Sequence, residues 1–164
     1  MRFSIGGAWR GGRRAFTLVE ILVVVVILGI LGAIVVPQFA GAAEESRRTA
    51  FVSELRVWLE AVELHVVREG SYPADGSSGE CPPGFEPYID EEDFERGTPV
   101  GGVWDVEFDE WGITSAVGVH FWGGGPVQDD AYMTLVDEIY DDGDLATGMF
   151  RRLDAGRYYA VVED

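Results

Sequence analysis

The sequence predicts an α+β fold in which one long N-terminal α-helix packs on a small antiparallel β-sheet of about four strands. An apolar run, residues 16–36, leads directly into a segment with helical periodicity, residues 38–69. The C-terminal part, residues 103–164, alternates apolar and polar residues in short segments separated by Gly- and Asp-rich turns. We therefore expect a helix with a membrane half and an amphipathic half, followed by a sheet.

The apolar run is long enough to cross a membrane. At about 1.5 Å per residue it reaches about 31 Å, close to the thickness of a hydrocarbon core. Glu20 lies near its start, where a carboxylate costs on the order of 2.5 to 3.5 kcal/mol on insertion scales. Some interaction must offset that cost. A proton relay is a weak explanation, because no second titratable residue follows before Phe39.

Charge is distributed unevenly along the chain. The residues before Phe16 include four arginines and no acid, whereas the whole chain has a formal net charge of −17. A basic flank is typical of the cytoplasmic side of a membrane segment. The acidic part is therefore expected on the other side, and it is a poor ligand for nucleic acid because it repels phosphate.

The second half of the long helix is predicted to extend from residue 38 to residue 69. Pro37 is expected to kink or locally melt the helix where this half begins. Opposite-charge pairs at the i,i+4 spacing, Glu44 with Arg48 and Arg56 with Glu60, are expected on its polar face. The predicted core stripe consists of Phe51, Leu55, Trp58, Leu59, Val62 and Val66.

The remaining elements follow from alternation and turn residues. Residues 71–102 read as a connecting loop with a short helical turn at 90–95. In the next strand Trp104, Val106 and Phe108 are expected to face the core, with Asp105, Glu107 and Asp109 facing solvent. Residues 113–121 complete a hairpin with it, and a second hairpin turns at 154–156.

A short helix is predicted between the two hairpins. Asp129 or Asp130 is expected to cap its N-terminus. Its expected apolar stripe consists of Tyr132, Leu135, Val136 and Ile139.

The stretch RRAFTLVEILVVVVILGILGAIVVPQF, residues 13–39, resembles the N-terminus of type IV pilins and of the pseudopilins of type II secretion. The order and spacing of Phe16, Glu20 and Pro37 make the resemblance specific. Over the head it is weaker, although GSYP and VWDVEFDEWG are similar to parts of the small sheet domains of major pseudopilins. A pilin-like fold is what the resemblance implies.

The resemblance implies a processing site and an assembly segment. Residues 1–15 would be a prepilin leader, cut by a prepilin peptidase between Ala15 and Phe16, with N-methylation of Phe16. Ala15 departs from the family, which usually has Gly there, but Ala is small enough to fit. Residues 16–37 would be the transmembrane and assembly helix, in which Glu20 pairs with the N-terminal amine of a neighbouring subunit. Pro37 would lie in a stretch that loses helicity on assembly.

The resemblance also implies a function, partners and a location. We expect a pseudopilin of a type II secretion system, anchored in the bacterial inner membrane with residues 38–164 as a periplasmic head, and then part of a periplasmic or surface filament. Its expected partners are further copies of itself in a helical filament, other pseudopilins, the prepilin peptidase and the inner-membrane assembly platform.

Three alternatives stay open at this point. In the first alternative, the chain is a type IV pilin. In the second, it is a membrane-anchored or secreted acidic binding domain. In the third, residues 1–42 are an ordinary secretory leader with a small-residue cleavage site at 40–42, or an uncleaved anchor. The single cysteine, Cys81, favours a pseudopilin over pilins that contain a C-terminal disulfide.

No enzymatic motif is found in the sequence. It contains no nucleophile elbow, phosphate loop or zinc motif, and His65 and His120 lack partners at ligand spacing. No cofactor is required, although calcium is a candidate, since Asp137, Asp141, Asp142 and Asp144 offer carboxylate oxygens on a predicted turn. A solvated acidic turn is the alternative, because the order of an EF-hand is missing.

Overall fold

The structure, a computed structural model, describes residues 16–122 and 127–164. The chain divides after Gly41 into two compact units. The elements in chain order are helix α1 (Leu18–Glu69), helix α2 (Glu91–Glu95), strand β1 (Val103–Phe108), strand β2 (Ser115–His120), helix α3 (Asp130–Tyr140), strand β3 (Phe150–Asp154) and strand β4 (Arg157–Glu163). The predicted α+β architecture with a four-stranded sheet is confirmed.

The first unit contains the apolar half of α1. An 18-residue window of this helix has a mean hydropathy of 3.1 and none of it is buried. Among the described residues, α1 is the one helix long and apolar enough to cross a membrane. By its length and composition, this helix fits a single-pass membrane anchor.

Pro37 lies inside α1, and the helix is continuous across it. Proline removes one hydrogen bond of the helical ladder, and the bonds on either side still form. The expected local melting at Pro37 is therefore wrong for the isolated chain.

The second unit is held together by aromatic side chains between α1 and the sheet. Trp104 of β1 is fully buried, and its ring is stacked on Phe51 of α1 at 5.0 Å between centroids. Trp58 meets the same indole edge-on at 6.0 Å. Phe150 of β3 meets Phe51 edge-on at 6.2 Å. Burying large rings in such pairs adds about 0.5–1.5 kcal/mol per pair beyond the hydrophobic effect.

The predicted core stripe of α1 is largely confirmed. Phe51, Leu55, Trp58 and Val62 are buried, whereas Leu59 and Val66 are only half-buried. Ala61 and His65 join the buried face in their place. Nδ1 of His65 donates a hydrogen bond to the carbonyl oxygen of Ser71 at 2.8 Å, which is a structural contact at the end of the helix.

The sheet has the strand order β1-β2-β4-β3 and is antiparallel throughout. Both predicted hairpins, β1-β2 and β3-β4, are therefore confirmed. Gly118 in β2 is required by close packing, since a Cβ there would lie 2.1 Å from the carbonyl oxygen of Tyr158. Gly156 adopts a positive φ of 71° in the β3-β4 turn, as a left-handed turn position requires.

The predicted helix starts are confirmed by capping contacts. Asp90 caps α2, and its carboxylate accepts from the amides of Glu92 and Asp93. Asp129 caps α3, and its carboxylate accepts from the amide of Tyr132 at 2.9 Å.

The predicted apolar stripe of α3 is confirmed for Val136, which is buried, and for Tyr132, which packs against the core, but it is wrong for Leu135 and Ile139. Met133, Val136 and Asp137 are the buried residues of this helix. Leu135 and Ile139 are 41% and 39% exposed. Because the buried Asp137 is polar, the apolar periodicity of the sequence does not mark its position as part of the core face.

The predicted ion pairs on α1 are also wrong. Glu44 pairs with Arg47 at 3.2 Å rather than with Arg48. Arg48 and Arg56 instead lie over the rings of Tyr132 and Tyr140 of α3. Stacking on a tyrosine competes with an exposed ion pair that is worth only a few tenths of a kcal/mol.

Asp105 and Glu107 do not face solvent, contrary to the sequence prediction, and are 3% and 4% exposed. The second face of the sheet is covered by Tyr159 and by the loop that contains Ser78, and both carboxylates hydrogen-bond to Tyr159 there. Phe108, expected in the core, is 38% exposed because it lies at the end of β1.

Candidate assembly segment and acidic loop

The start of α1 is fixed by reciprocal hydrogen bonds between Thr17 and Glu20. The backbone amide and the hydroxyl of Thr17 each donate to the Glu20 carboxylate at 2.8 Å. The amide of Glu20 donates to Oγ1 of Thr17 at 3.2 Å. This arrangement is a capping box, and its signal, T-x-x-E in TLVE, is present in the sequence but was not used in the prediction.

The Glu20 carboxylate remains exposed beside Phe16, whose side chain is 77% exposed. No Arg, Lys or His occurs in the sequence from residue 16 to residue 46. A cation for Glu20 at membrane depth must therefore come from outside this stretch or from a chain terminus. A free amine on Phe16 would stand one residue before the Thr17 amide that already contacts Glu20.

Of the other residues predicted for this segment, the structure describes Pro37 but not Ala15. Ala15 lies outside the described residues, so the cleavage site stays a prediction. Pro37 is exposed in α1 and lies about 25 Å along the helix from Glu20 at 1.5 Å per residue. The structure therefore does not bring Glu20 and Pro37 together.

The acidic loop after α3 brings three of the four predicted carboxylates together. Oxygen atoms of Asp137, Asp141 and Asp142 lie within 4.8 Å of one another. Asp144 is not part of this group, and its carboxylate accepts from the amide of Ala146 at 3.1 Å.

Asp137 is the unusual member of the group. Its side chain is fully buried, and neither carboxylate oxygen has a hydrogen-bond partner among the described residues. Burial, and then the carboxylates of Asp142 and Asp141, raise the pKa of Asp137 to about 6. Backbone amides of Gly143 and Asp144 oppose this shift of the pKa. Buried polar atoms normally have partners, so an unpartnered buried carboxylate is a candidate ligand.

Calcium suits this group of residues. It binds oxygen ligands only, and carboxylates from a flexible loop are its common ligands in proteins. A divalent cation would also remove the repulsion among three carboxylates held close together. Asp137, Asp141 and Asp142 therefore have the ligand chemistry of a hard cation, and calcium binding stays a prediction.

A second polar cluster lies on the far face of the sheet. The hydroxyl of Tyr159 donates to Asp105 at 2.6 Å and to Glu107 at 3.2 Å. The Nη1 atom of Arg157 donates to Asp105 at 3.0 Å and also to Glu107. Burial, followed by the charge of Asp105, raises the pKa of Glu107 to about 7, although Arg157 opposes the shift.

Ser78, His120 and Asp105 lie close together at the edge of this cluster. Oγ of Ser78 lies 2.8 Å from Nδ1 of His120 and donates to Asp105 at 2.8 Å. Asp105 is 3.9 Å from the same imidazole nitrogen. In a catalytic triad the carboxylate orients the histidine, and the other ring nitrogen faces the serine. Here one nitrogen faces both groups, so the contacts are those of a structural cluster.

The long helix with an apolar, Glu20-containing start and the antiparallel sheet of the head together define the pilin-like class of filament subunits. The family model of the prokaryotic N-terminal methylation motif matches residues 10–36. This match includes Phe16 and Glu20.

Relatives with a curated description identify the family within this class. The chain is 34% identical over 104 residues to a type II secretion system core protein G of Klebsiella pneumoniae, a match that covers 61% of this chain and 70% of that protein. It therefore belongs to the family of the type II secretion system core protein G, the major pseudopilins.

Two further relatives have the same description. The chain is 38% identical over 64 residues to the protein of Klebsiella michiganensis and 37% identical over 65 residues to that of Pseudomonas aeruginosa. These matches cover 39% and 40% of this chain, and 45% and 46% of the two relatives. The chain thus spans about half the length of these two proteins. No solved structure matches the chain at a significant level.

The predicted pseudopilin family is confirmed by these relatives, and the type IV pilin and acidic binding-domain alternatives are not supported by them. The family is one of structural pseudopilin subunits.

The cluster around Glu107 makes the stability of the head depend on pH. The pKa of Glu107 is raised from 4.5 to about 7 on folding, so the folded state binds more protons between these values. The free energy of unfolding should therefore fall as the pH rises through this window, by up to about 1.4 kcal/mol per pH unit for one proton.

Replacing Glu107 with Gln should flatten this slope. The measurement is urea unfolding of the full chain in detergent, followed by tryptophan fluorescence, at pH values from about 5 to about 8. The exposed Glu80→Gln variant is the control and should keep the slope. An unchanged slope in E107Q would show that Glu107 does not hold the proton.

Proposed function

We propose that this chain is made as an inner-membrane precursor, processed between Ala15 and Phe16, and polymerised as the major pseudopilin of a type II secretion filament. The observation that carries the proposal is the isolated Glu20 carboxylate at the start of an unburied apolar helix. The family membership supports the same conclusion.

Assembly offsets the cost of placing Glu20 in lipid. Processing creates an ammonium group at Phe16, at nearly the same depth as the carboxylate. A pair between one subunit's Glu20 and the next subunit's amine removes both charges from the lipid at once, although desolvation offsets part of the gain. The apolar side chains of residues 21–36, which have no protein neighbours in the single chain, would be covered by other helices of the filament.

The contact between carboxylate and amine joins two different surfaces. Contacts of this type that do not close into a ring build open helical filaments. The filament would extend into the periplasm, since the basic residues before Phe16 favour a cytoplasmic N-terminus. In this position it acts as a short piston, with the prepilin peptidase, other pseudopilins and the inner-membrane assembly platform as partners.

The processing step is tested by mass spectrometry of the mature protein. The N-terminal peptide should begin at Phe16 and carry one methyl group on its amine. The Ala15→Gly variant, which restores the usual residue before the cut, should be processed at least as fast. An intact N-terminus, or a start near Ala43, would contradict the proposal.

The role of Glu20 is tested by two variants that separate charge from capping. Gln fits a capping box as Glu does, so Glu20→Gln should keep the hydrogen bonds to Thr17 and lose the charge. We expect normal processing and no filaments in E20Q, measured by shearing and electron microscopy. The Thr17→Val variant removes the cap, keeps the charge and should still assemble. Filaments in E20Q together with their loss in T17V would show that Glu20 acts only as a cap.

We also propose that the acidic loop binds calcium through Asp137, Asp141 and Asp142. The fully buried, unpartnered carboxylate of Asp137 supports this proposal. Bound calcium would supply a local positive charge that neutralises the carboxylates and ties the loop to α3.

Calcium should therefore stabilise the head. At a free concentration of 100 times its dissociation constant it adds about 2.7 kcal/mol, which is measurable as a rise in Tm. The Asp137→Asn variant should lose this rise. Asp144→Asn is the control and should keep it, because Asp144 lies outside the group of three. A full calcium response in D137N would refute the site.

A further inference from the structure

We propose that Gly148 is the positioning residue of the acidic loop, because its lack of a side chain allows the three carboxylates of the proposed calcium site to lie close together. Gly148 is not one of the proposed ligands. The inference rests on the calcium site proposed above, and it names the residue on which the arrangement of that site depends.

The space beside Gly148 is filled by two of the proposed ligands. A Cβ at this position would lie 2.9 Å from a carboxylate oxygen of Asp142 and closer still to one of Asp141. Even the close Cα–H···O contacts of proteins have about 3.3–3.6 Å between carbon and oxygen. A methyl group at position 148 would therefore displace both carboxylates.

This displacement would spare the fold and disrupt the site. Asp141 and Asp142 are exposed, so their side chains can turn toward solvent, whereas Asp137 is fully buried on α3. The oxygen atoms of Asp137 have no hydrogen-bond partner in the described part of the chain. With the two exposed carboxylates turned away, a cation at Asp137 would keep one carboxylate instead of three. A side chain at position 148 thus removes the close approach without removing any ligand.

The peptide unit between Gly148 and Met149 also fixes the loop to the sheet. The carbonyl oxygen of Gly148 accepts a hydrogen bond from Nε of Arg151 at 2.8 Å, and the amide of Met149 donates to the carboxylate of Asp141. The carbonyl oxygen of Met149 accepts from the amide of Val161 in β4 at 2.8 Å. Because the carbonyl and the amide of a trans peptide point in opposite directions, the bond from Arg151 aims the Met149 amide at Asp141.

Asp142 is oriented from within the loop. Its carboxylate accepts from the hydroxyl of Thr147 at 3.2 Å and from the amide of Asp144 at 2.9 Å. A carboxylate has about four lone-pair sites, so an oxygen that accepts a hydrogen bond can also bind a cation. Loss of such supporting contacts typically lowers the affinity for a metal ion by about 10- to 100-fold.

The test compares two glycine substitutions in the full-length chain, Gly148→Ala and Gly156→Ala. Both glycines have a φ of 71°, so alanine adds the same kind of backbone strain at either position. Gly156 lies in the β3-β4 turn, and the three atoms nearest to its Cβ position all belong to Phe121. The comparison therefore separates backbone strain from displacement of the carboxylates.

The measurement is a calcium titration followed by thermal unfolding in detergent. Both variants should have a lower Tm than the wild type without calcium. In G156A the rise in Tm should occur at the same calcium concentration as in the wild type. In G148A the concentration that gives half of the rise should increase at least about tenfold.

A second pair of variants tests the peptide unit even where G148A does not fold. Arg151→Gln and Arg152→Gln each remove one positive charge from β3, and by charge alone both should bind calcium more tightly. Arg151 holds the carbonyl oxygen of Gly148, whereas Arg152 pairs with Asp130 at 2.7 Å. We therefore expect R151Q to require about tenfold more calcium than R152Q for half of the rise in Tm.

The outcomes separate this inference from the proposed calcium site. A wild-type chain that responds to calcium, with G148A responding at the same concentration as G156A, would overturn the role of Gly148 and leave the calcium site intact. Equal calcium responses of R151Q and R152Q would count against the inference in the same way. A wild-type chain whose Tm does not rise with calcium would instead overturn the calcium site, and this inference with it.

Discussion

The charge of Glu20 is the constraint on which the arrangement of this protein depends. The carboxylate lies at the start of a helix that is otherwise suited to lipid, and no cationic side chain follows it until Arg47. Its hydrogen bonds to Thr17 satisfy the oxygen atoms and leave the charge without a partner. A single chain therefore leaves this charge unpaired in the membrane, and the amine that the proposed processing would release at Phe16 is the simplest cation for it.

In the head, a small number of residues must hold the sheet against the second half of α1. The stack of Trp104 on Phe51, with Trp58 and Phe150 at its edges, places aromatic rings where helix and sheet meet. Rings of this size bury much area at a small cost in side-chain entropy. Because the main core lies on this face, the other face of the sheet can bury the polar cluster of Asp105 and Glu107 beside a smaller apolar cluster that contains Tyr159.

The helices and strands can be predicted from local sequence signals, whereas the burial of Asp105 and Glu107 cannot. Period-3.6 and period-2 patterns, with Asp129 as a cap and Gly156 in a turn, predicted the helices and strands correctly. The burial of Asp105 depends on Arg157 and Tyr159, which are more than fifty residues away, and no local pattern reveals such partners. The N-terminal methylation motif is recognisable from the sequence because its residues are contiguous, whereas the closeness of Asp137 to Asp141 required the end of α3 to be known.

Acidity has different consequences in the two sites of the head. At Glu107, one guanidinium faces two carboxylates, and the excess charge is relieved by keeping a proton. At Asp137 no cationic side chain is paired with the three carboxylates in the described residues, so relief must come from a proton or from a metal ion. A metal ion neutralises more than one carboxylate at a pH where protons have already left. A bound cation would therefore have its larger effect on stability at the loop, and a change of pH would have its larger effect at the sheet cluster.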